Sequence, residues 1–349
     1  MPQAAERPSR QQGEQERRGE LRFHVPGGPQ AQYPAVFGPD EHYPGGGPFR
    51  WRTVRLAEGW EVRQRLLPRE AATTETRDLL EQEVRGALTL VRAYRDNRHA
   101  GLFPMLGGYD LDADEPFALY PKRSFTPLPA LAGSAGLEQQ LGIVRDLVLV
   151  VRLLEGVGLV HRGLSPDTIG WEDGRIRLLD LSALARLGWP RTPYGQPPWA
   201  SPEQRTGAGQ VDPRDALWSV AQLMYYVFFG RPGDADGMAP ELADDRTIIP
   251  VLGQAFAPLA EQRPRAIALL RLLACPDPLE ADPPPGDPLD AAREEFDRQL
   301  MTKRRDLGLA PPEPAATTGR PPGVARPGPA GGLQRARWPF GGPRGRGTR

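Results

Sequence analysis

The sequence predicts an α+β protein, in which a group of β-strands is followed by a group of helices. Within residues 45–67, two runs rich in β-prone residues flank a Glu58-Gly59 step, which is typical of a hairpin. Apolar residues recur at helical spacing in residues 75–95, and residues 137–155 form a strongly apolar run of helix length. A chain of 349 residues can form one large two-lobed domain with tails, or two small domains.

Composition narrows the classes of function. The chain has 44 basic and 44 acidic residues, so no global field draws it to nucleic acid or to a membrane. The single cysteine, Cys275, allows no intramolecular disulfide or thiolate metal cluster, and it fits a reducing cytoplasm. No apolar run reaches the ~18 residues needed to span a bilayer. The N-terminus lacks the apolar core of a signal peptide, so we expect a cytoplasmic protein.

Both ends of the chain are predicted to be tails. Residues 1–32 are polar and mixed in charge, and they cannot bury enough apolar surface to offset the entropy of ordering. Residues 277–306 are interpreted as a Pro-rich linker and an amphipathic helix over 289–306. Residues 307–349 form a disordered tail rich in Pro, Gly and Arg, with no acidic residue after Glu313. The basic stretch 314–349 is a candidate for binding nucleic acid or an acidic surface, although a solvated linker end is the simpler interpretation.

Between the tails, further elements follow in order. The helix over 75–95 can be capped at its start by Thr73, Thr74 or Thr76. Two more strands are expected, one over 99–109 and one over 116–122, followed by the helix over 137–155 and a strand over 175–180. A buried helix opens near Asp215 and ends before Gly230, which is suited to a C-cap.

Several short motifs carry a resemblance to a known family. Residues 160–168, VHRGLSPDT, resemble the catalytic loop of eukaryotic-type (Hanks-type) Ser/Thr protein kinases. Five further segments occur in the family's order and complete the resemblance over roughly residues 40–275: the Gly-rich turn with its two strands, Leu178–Ser182, Trp199–Glu203, the Asp215 motif and the Arg263 motif. The sequence is identified as a degenerate, bacterial-type member of this family.

The resemblance implies a bilobal fold over residues 33–276. The small lobe, 33–118, would contain an antiparallel sheet and one helix, and the large lobe, 122–276, would be mostly helical. In the hinge between them Pro121 lacks the backbone N–H that donates to adenine in the family.

Most positions that serve phosphoryl transfer in the family are altered here. The catalytic base position is Gly163 and the second metal-ligand position is Thr168. The phosphate-contacting Lys of the third strand is replaced by Arg65, and Arg63 stands at the small residue that packs on adenine. The residual nucleotide site implied by the resemblance consists of Gly45, Gly47, Arg65 and Asp180, with Asp180 as the metal ligand.

Positions that serve architecture in the family are retained. They are Glu83, His161, Arg162, Glu203, Asp215 and Arg263. The resemblance implies a Glu83–Arg65 ion pair, with Glu81 as the runner-up to Glu83, and a Glu203–Arg263 ion pair. A buried pair of this type fixes geometry more than it adds stability.

Because the catalytic positions are altered and the architectural ones are retained, the resemblance predicts a pseudokinase that acts as a regulatory or scaffolding module. The sequence does not identify its protein partners. We expect no cofactor, while weak binding of ATP and Mg²⁺ stays open through Asp180 and the Thr168 hydroxyl. The alternatives are a divergent ATP-dependent Ser/Thr kinase, with Asp167 as a stand-in base, and a binding protein that acts through its basic tail. Nothing in the sequence marks Thr192, Tyr194 or Ser201 as phosphorylated.

Overall fold

The computed structural model describes residues 17–42, 47–242 and 253–286, together with residues 299, 302 and 303. The chain divides into two compact units, residues 1–284 and 285–349, and every element described below belongs to the first. The predicted helix over 289–306 falls almost wholly outside the described residues, and the basic tail falls entirely outside them.

Six antiparallel strands form a closed barrel in the order β1-β2-β3-β4-β6-β5. These strands are β1 (Arg17–His24), β2 (Gln30–His42), β3 (Arg50–Leu56), β4 (Glu61–Leu66), β5 (Gly108–Asp110) and β6 (Phe117–Pro121). β1 pairs with β2 along its whole length and meets β5 at His24 and Tyr109, which closes the barrel. The predicted hairpin over 45–67 is present as β3 and β4.

The closed barrel corrects the predicted fold class. A two-lobed kinase-like fold, with a small lobe of antiparallel strands and one helix, is wrong, because the strands close on themselves. Strand β1 also corrects the disordered tail predicted for residues 1–32, since Arg17–His24 is a strand. The lobe boundary predicted at 118–122 falls within strand β6, which pairs with β4 along its length.

The sequence does not predict strand β1, because its alternation of apolar and polar residues is short. Leu21 and Phe23 are buried, while the residues between and around them are charged or polar and exposed. Phe23 is fully buried and stacks on Tyr33 of β2, with ring centroids 5.9 Å apart. The register of β2 against β3 shifts between Phe37 and Asp40, an irregularity of the kind that bends a long strand around a barrel.

The helices predicted over 75–95, over 137–155 and from Asp215 to before Gly230 are present. The helices of the described residues are α1 (Thr74–Tyr94), α2 (Leu137–Gly156), α3 (Pro202–Thr206), α4 (Pro213–Phe229), α5 (Ala266–Leu272) and α6 (Pro278–Ala281). Thr73 caps α1 through a capping box with Thr76, and Gly230 ends α4 in the left-handed conformation. One apolar cluster runs from Trp51 and Tyr120 on the barrel wall through α1, α2, α4 and α5. None of the helices described is long and apolar enough to cross a membrane.

Short strands connect the helices. They are β7 (Thr126–Pro127), β8 (Leu159–His161), β9 (Ile169–Glu172), β10 (Arg175–Leu178) and β11 (Leu184–Arg186). β10, β9 and β7 form one small sheet, and β11 pairs with β8. These two pairings present the 161–168 loop and the 178–182 segment side by side.

The start of the predicted Pro-rich linker is part of the packed unit. Arg152 of α2 holds Asp277 through two bonds of 3.0 and 2.7 Å. Leu279 of α6 lies so close to Gly156 that a Cβ there would meet its Cδ1 at 2.7 Å. The linker therefore does not begin at residue 277, because residues 277–281 are anchored on α2.

The seam of the barrel gives a test of its closure. A Cβ on Gly108 of β5 would lie 2.3 Å from Cδ2 of the buried Phe23, so Gly108→Ala overpacks the seam. We expect the free energy of unfolding to fall by about 1–3 kcal/mol, measured by urea unfolding followed by circular dichroism.

A matched Gly→Ala change serves as the control. Gly142 lies inside α2, and a Cβ there would have Trp171 as its nearest neighbour at 4.0 Å. Gly142→Ala should leave stability unchanged or raise it by roughly 0.5–1 kcal/mol, because alanine loses less backbone entropy in a helix than glycine. Equal stabilities for Gly108→Ala and the wild-type protein would mean that β5 does not seal against β1.

Candidate functional site

The 161–168 loop is built around a buried histidine. His161, at the end of β8, is fully buried, and its Nδ1 accepts the backbone N–H of Gly163 at 3.2 Å. Its Nε2 therefore carries the proton and donates to the carbonyl oxygen of Asp180 at 2.8 Å. Burial lowers the pKa of His161, which fits a neutral ring. This imidazole joins the loop to the 178–182 segment.

Gly163 stands at the predicted base position, and the space beside it is filled. A Cβ added to Gly163 would lie 2.7 Å from the Cβ of Ala183 and 3.5 Å from the ring of Tyr194. The backbone of Tyr194 exchanges bonds with Gln204: its N–H donates to the Gln204 carbonyl at 3.0 Å, and its carbonyl accepts from Gln204 Nε2 at 3.2 Å. These bonds fix the backbone of Tyr194, and the Arg162 guanidinium lies over its ring, with Cζ 4.8 Å from the centroid.

The Thr168 hydroxyl, predicted as a remnant of a metal ligand, is used within the loop. It accepts the backbone N–H of Ser165 at 3.0 Å. It also lies within donating distance of two carbonyl oxygens, those of Gly163 at 3.1 Å and Ser165 at 3.0 Å. A hydroxyl has one proton to donate, and these local acceptors take it.

Asp180, predicted as the metal ligand, is instead bound by a guanidinium group. Arg65 Nη1 lies 2.7 Å from its Oδ1, and both side chains are buried. The backbone N–H of Ser182 donates to the same oxygen at 2.8 Å, and the Ser182 hydroxyl donates to Oδ2 at 2.9 Å. Three of the carboxylate's roughly four acceptor positions are thus occupied by protein groups.

Arg65 also meets a second buried carboxyl group. Its Nε lies 3.2 Å from Oε2 of Glu83 on α1, so the predicted Glu83–Arg65 contact is present. The Tyr120 hydroxyl donates to Oε1 of Glu83 at 2.7 Å. Glu81, the alternative to Glu83, is exposed and pairs with Arg85 instead. One buried guanidinium therefore lies between two buried carboxyl groups.

The pKa values of the two carboxyl groups, Glu83 and Asp180, are shifted in opposite directions. Burial raises the pKa of Glu83 to about 7, because the charge of Asp180 adds to the desolvation and Arg65 only partly offsets them. Burial also opposes ionisation of Asp180, but Arg65 and the Ser182 donors outweigh it and lower the pKa to about 2. The favoured state near neutral pH is an ionised Asp180 paired with Arg65.

Aromatic rings fill the space on the other side of Arg65. Phe49 and Trp51 are buried, and their ring centroids lie 4.5 and 5.7 Å from Arg65 Cζ. Of the two predicted glycines of the phosphate-covering turn, Gly47 is exposed with φ of 92°, and Gly45 lies outside the described residues. Phe49 thus packs inward over the guanidinium.

A second network of ion pairs and hydrogen bonds connects residues 191–203 to Arg162, Asp215 and Arg263. Arg263 holds Glu203 through Nη2 at 3.1 and 2.9 Å, which is the predicted pair. Asp215 is fully buried and is held by Arg191 through two bonds of 2.8 and 3.0 Å, with the Ser201 hydroxyl at 3.2 Å. Arg162 donates to the carbonyl oxygen and hydroxyl of Thr192, both at 3.1 Å.

Sequence reasoning missed three groups of this site. Ser182, Tyr120 and Arg191 each bond one of the buried carboxyl groups. Ser182 lies two residues after Asp180, and its hydroxyl was the signal that the sequence offered. Tyr120 and Arg191 lie far from their partners in sequence and carry no local signal.

A pocket opens beside this site, between the barrel wall and the β9–β10 segment. It has a volume of ≈ 110 Å³. Its lining includes Arg63 and Pro121, the two residues predicted to impair adenine binding, and the exposed Asp167. Within the described residues, no group of three or more His, Cys, Asp or Glu side chains could hold a metal ion.

Comparison with known proteins gives a partial similarity. No protein-family model matches the chain. The serine/threonine-protein kinase MRCK gamma of Homo sapiens is 30% identical over 95 residues, which cover 24% of this chain and 6% of that protein. Its Mus musculus counterpart is 32% identical over 95 residues, with the same coverage. The chain thus spans a small fraction of these relatives, and the similarity to Ser/Thr kinases concerns about a quarter of it.

The buried triad gives a stability prediction. Arg65→Met leaves Glu83 and Asp180 buried without their cation, and we expect a loss of about 3–5 kcal/mol in the free energy of unfolding. Arg63→Met is the control on the same strand, because Arg63 is partly exposed and pairs with Glu41 at 3.0 Å. The control should cost less than about 1 kcal/mol in urea unfolding. Equal costs for the two variants would refute a central role for Arg65.

Glu83 gives a prediction on pH dependence. Its pKa is about 7 in the folded protein and 4.5 ordinarily, so the folded state binds the extra proton and loses stability as pH rises from 4.5 to 7. Over that range the wild-type protein should lose up to about 3 kcal/mol relative to Glu83→Gln, measured by urea unfolding at a series of pH values.

The comparison between variants isolates Glu83 from other groups. Burial lowers the pKa of His99 and His161, which gives the opposite slope in both proteins and cancels in the difference. Glu81→Gln, on the exposed face of α1, should follow the wild-type curve. Parallel curves for the wild-type protein and Glu83→Gln would show that Glu83 is ionised throughout.

Proposed function

We propose that this protein is a regulatory or scaffolding module, similar in part to Ser/Thr protein kinases, that does not transfer phosphate. The observation that carries the proposal is the buried Arg65–Asp180 ion pair at 2.7 Å. Phosphoryl transfer needs metal ions that neutralise the phosphates, a positioned base and an in-line geometry. Each requirement can be compared with the residues at the site.

A metal ion at Asp180 would compete with the guanidinium group of Arg65. A Mg²⁺ ion on Asp180 would lie next to a guanidinium with which it shares a carboxylate, in a low-dielectric setting where like charges repel strongly. Moving Arg65 away would break its contact with Glu83 and leave that carboxyl group without its cation. The site therefore favours the bound arginine over a bound metal ion.

The position that would hold the catalytic base has no side chain. Gly163 offers no acceptor, and Ala183 and Tyr194 occupy the adjoining space. Loss of a positioned base alone costs about 10²–10⁴-fold in rate. The Thr168 hydroxyl is used within its loop and Asp180 is paired with Arg65, so both predicted metal ligands are already engaged by protein groups. We infer that a domain without these functions acts by binding a protein partner.

Two measurements test this proposal. With Mg²⁺ or Mn²⁺, labelled ATP and generic protein substrates, transfer should not exceed that of a buffer blank. The melting temperature with ATP and Mg²⁺ together should equal that with Mg²⁺ alone, because a ligand that does not bind the folded state cannot stabilise it.

Asp180→Asn is the matched control for both measurements. Its amide retains the size of the carboxylate and removes the metal-binding charge. Turnover in the wild-type protein that disappears in Asp180→Asn would overturn the proposal and favour a divergent kinase. Turnover that is equal in the two proteins would be traced to a contaminating kinase.

A further inference from the structure

The pocket beside the buried triad has an apolar interior. Its walls include the rings of Phe103, Tyr120 and Phe125 and the side chain of Leu178. Its volume of ≈ 110 Å³ is comparable with engineered apolar cavities of about 150 Å³ that bind benzene. The space therefore suits a group of the size of one aromatic ring.

Most of the charged residues that line the pocket are positive. Three arginines line the pocket, Arg63, Arg123 and Arg177, against one carboxylate, Asp167, which is exposed. Arg63 has its own partner in Glu41, at 3.0 Å. Arg123 and Arg177 share a single carboxylate, Glu172, with Arg123 Nη1 at 3.6 Å from its Oε2. The pocket wall thus has two guanidinium groups on one carboxylate.

The pair of guanidinium groups is crowded. Arg177 is largely buried, with 16% of its side chain exposed, while Arg123 is 50% exposed at the mouth. Burial lowers the pKa of Arg177, and the charge of Arg123 adds to that effect. Asp173 also acts on Arg177, but it is exposed and does not line the pocket. A ligand anion placed between Arg123 and Arg177 would relieve this repulsion.

We propose that this pocket binds a small aromatic acid, with one ring among the aromatic walls and a carboxylate on Arg123 and Arg177. The ring replaces water on an apolar surface, and the carboxylate accepts charge-assisted hydrogen bonds from the guanidinium groups. A nucleotide fits the pocket poorly because Pro121 offers no N–H and Arg65 is paired with Asp180 on the side where phosphates would lie. The inference goes beyond the proposed function and is independent of phosphotransfer.

The test uses benzoate as the probe and benzamide as its neutral isostere, titrated into the full chain by calorimetry and by ligand-observed NMR. Charge-assisted bonds predict that benzoate binds roughly 10–100-fold more tightly than benzamide. Arg123→Gln should reduce that preference, with Arg177 as the remaining guanidinium, and leave benzamide binding unchanged. Since Arg123 is half exposed, the substitution should preserve the fold, which melting temperature will verify.

Arg186→Gln is the control for loss of a surface charge, because Arg186 stacks on the exposed Trp189 and does not line the pocket. It should bind benzoate as the wild-type protein does. The inference is overturned if benzoate fails to bind at millimolar concentration, if benzoate and benzamide bind equally, or if Arg123→Gln retains the preference in full.

Discussion

The position of Arg65 between Glu83 and Asp180 is the constraint on which the rest of the site depends. Its strand belongs to the barrel, Glu83 lies on α1, and Asp180 follows β10, so one side chain joins three parts of the fold. A buried charge is costly unless it is paired, and here each partner also has further donors in Tyr120 and Ser182. The triad therefore fixes the relative placement of barrel, helix and loop, and the same contacts occupy the groups that chemistry would need.

The barrel explains why this arrangement is rigid. In an open sheet, the edge strands can shift, whereas closure through β1 and β5 removes the free edges. Strand β4, which carries Arg65, is paired on both sides, with β3 and with β6. The aromatic residues Phe49 and Trp51 then pack against the guanidinium from the barrel side.

The sequence allowed some of these features to be predicted and not others. Local signals identified the β3–β4 hairpin, the Gly230 end of α4 and a threonine cap on α1, with Thr73 as one of three candidates, because turn and cap chemistry is encoded in a few adjacent residues. Closure of the barrel was missed because β1 has only two buried apolar residues among charged ones.

The contacts of the site also include some that the sequence predicted and others that it did not. The Glu83–Arg65 and Glu203–Arg263 contacts were anticipated from motif positions. The pairing of Arg65 with Asp180 was not, since it joins residues 115 positions apart and depends on a long arginine replacing a compact lysine. Bonds from Tyr120 and Arg191 arise only from tertiary packing.

The filling of the space beside Gly163 limits what a single substitution there can restore. A Cβ at position 163 would lie 2.7 Å from the Cβ of Ala183, so an acidic side chain would have to displace its neighbours. A design that restores a base at this position therefore has to change residue 183 at the same time.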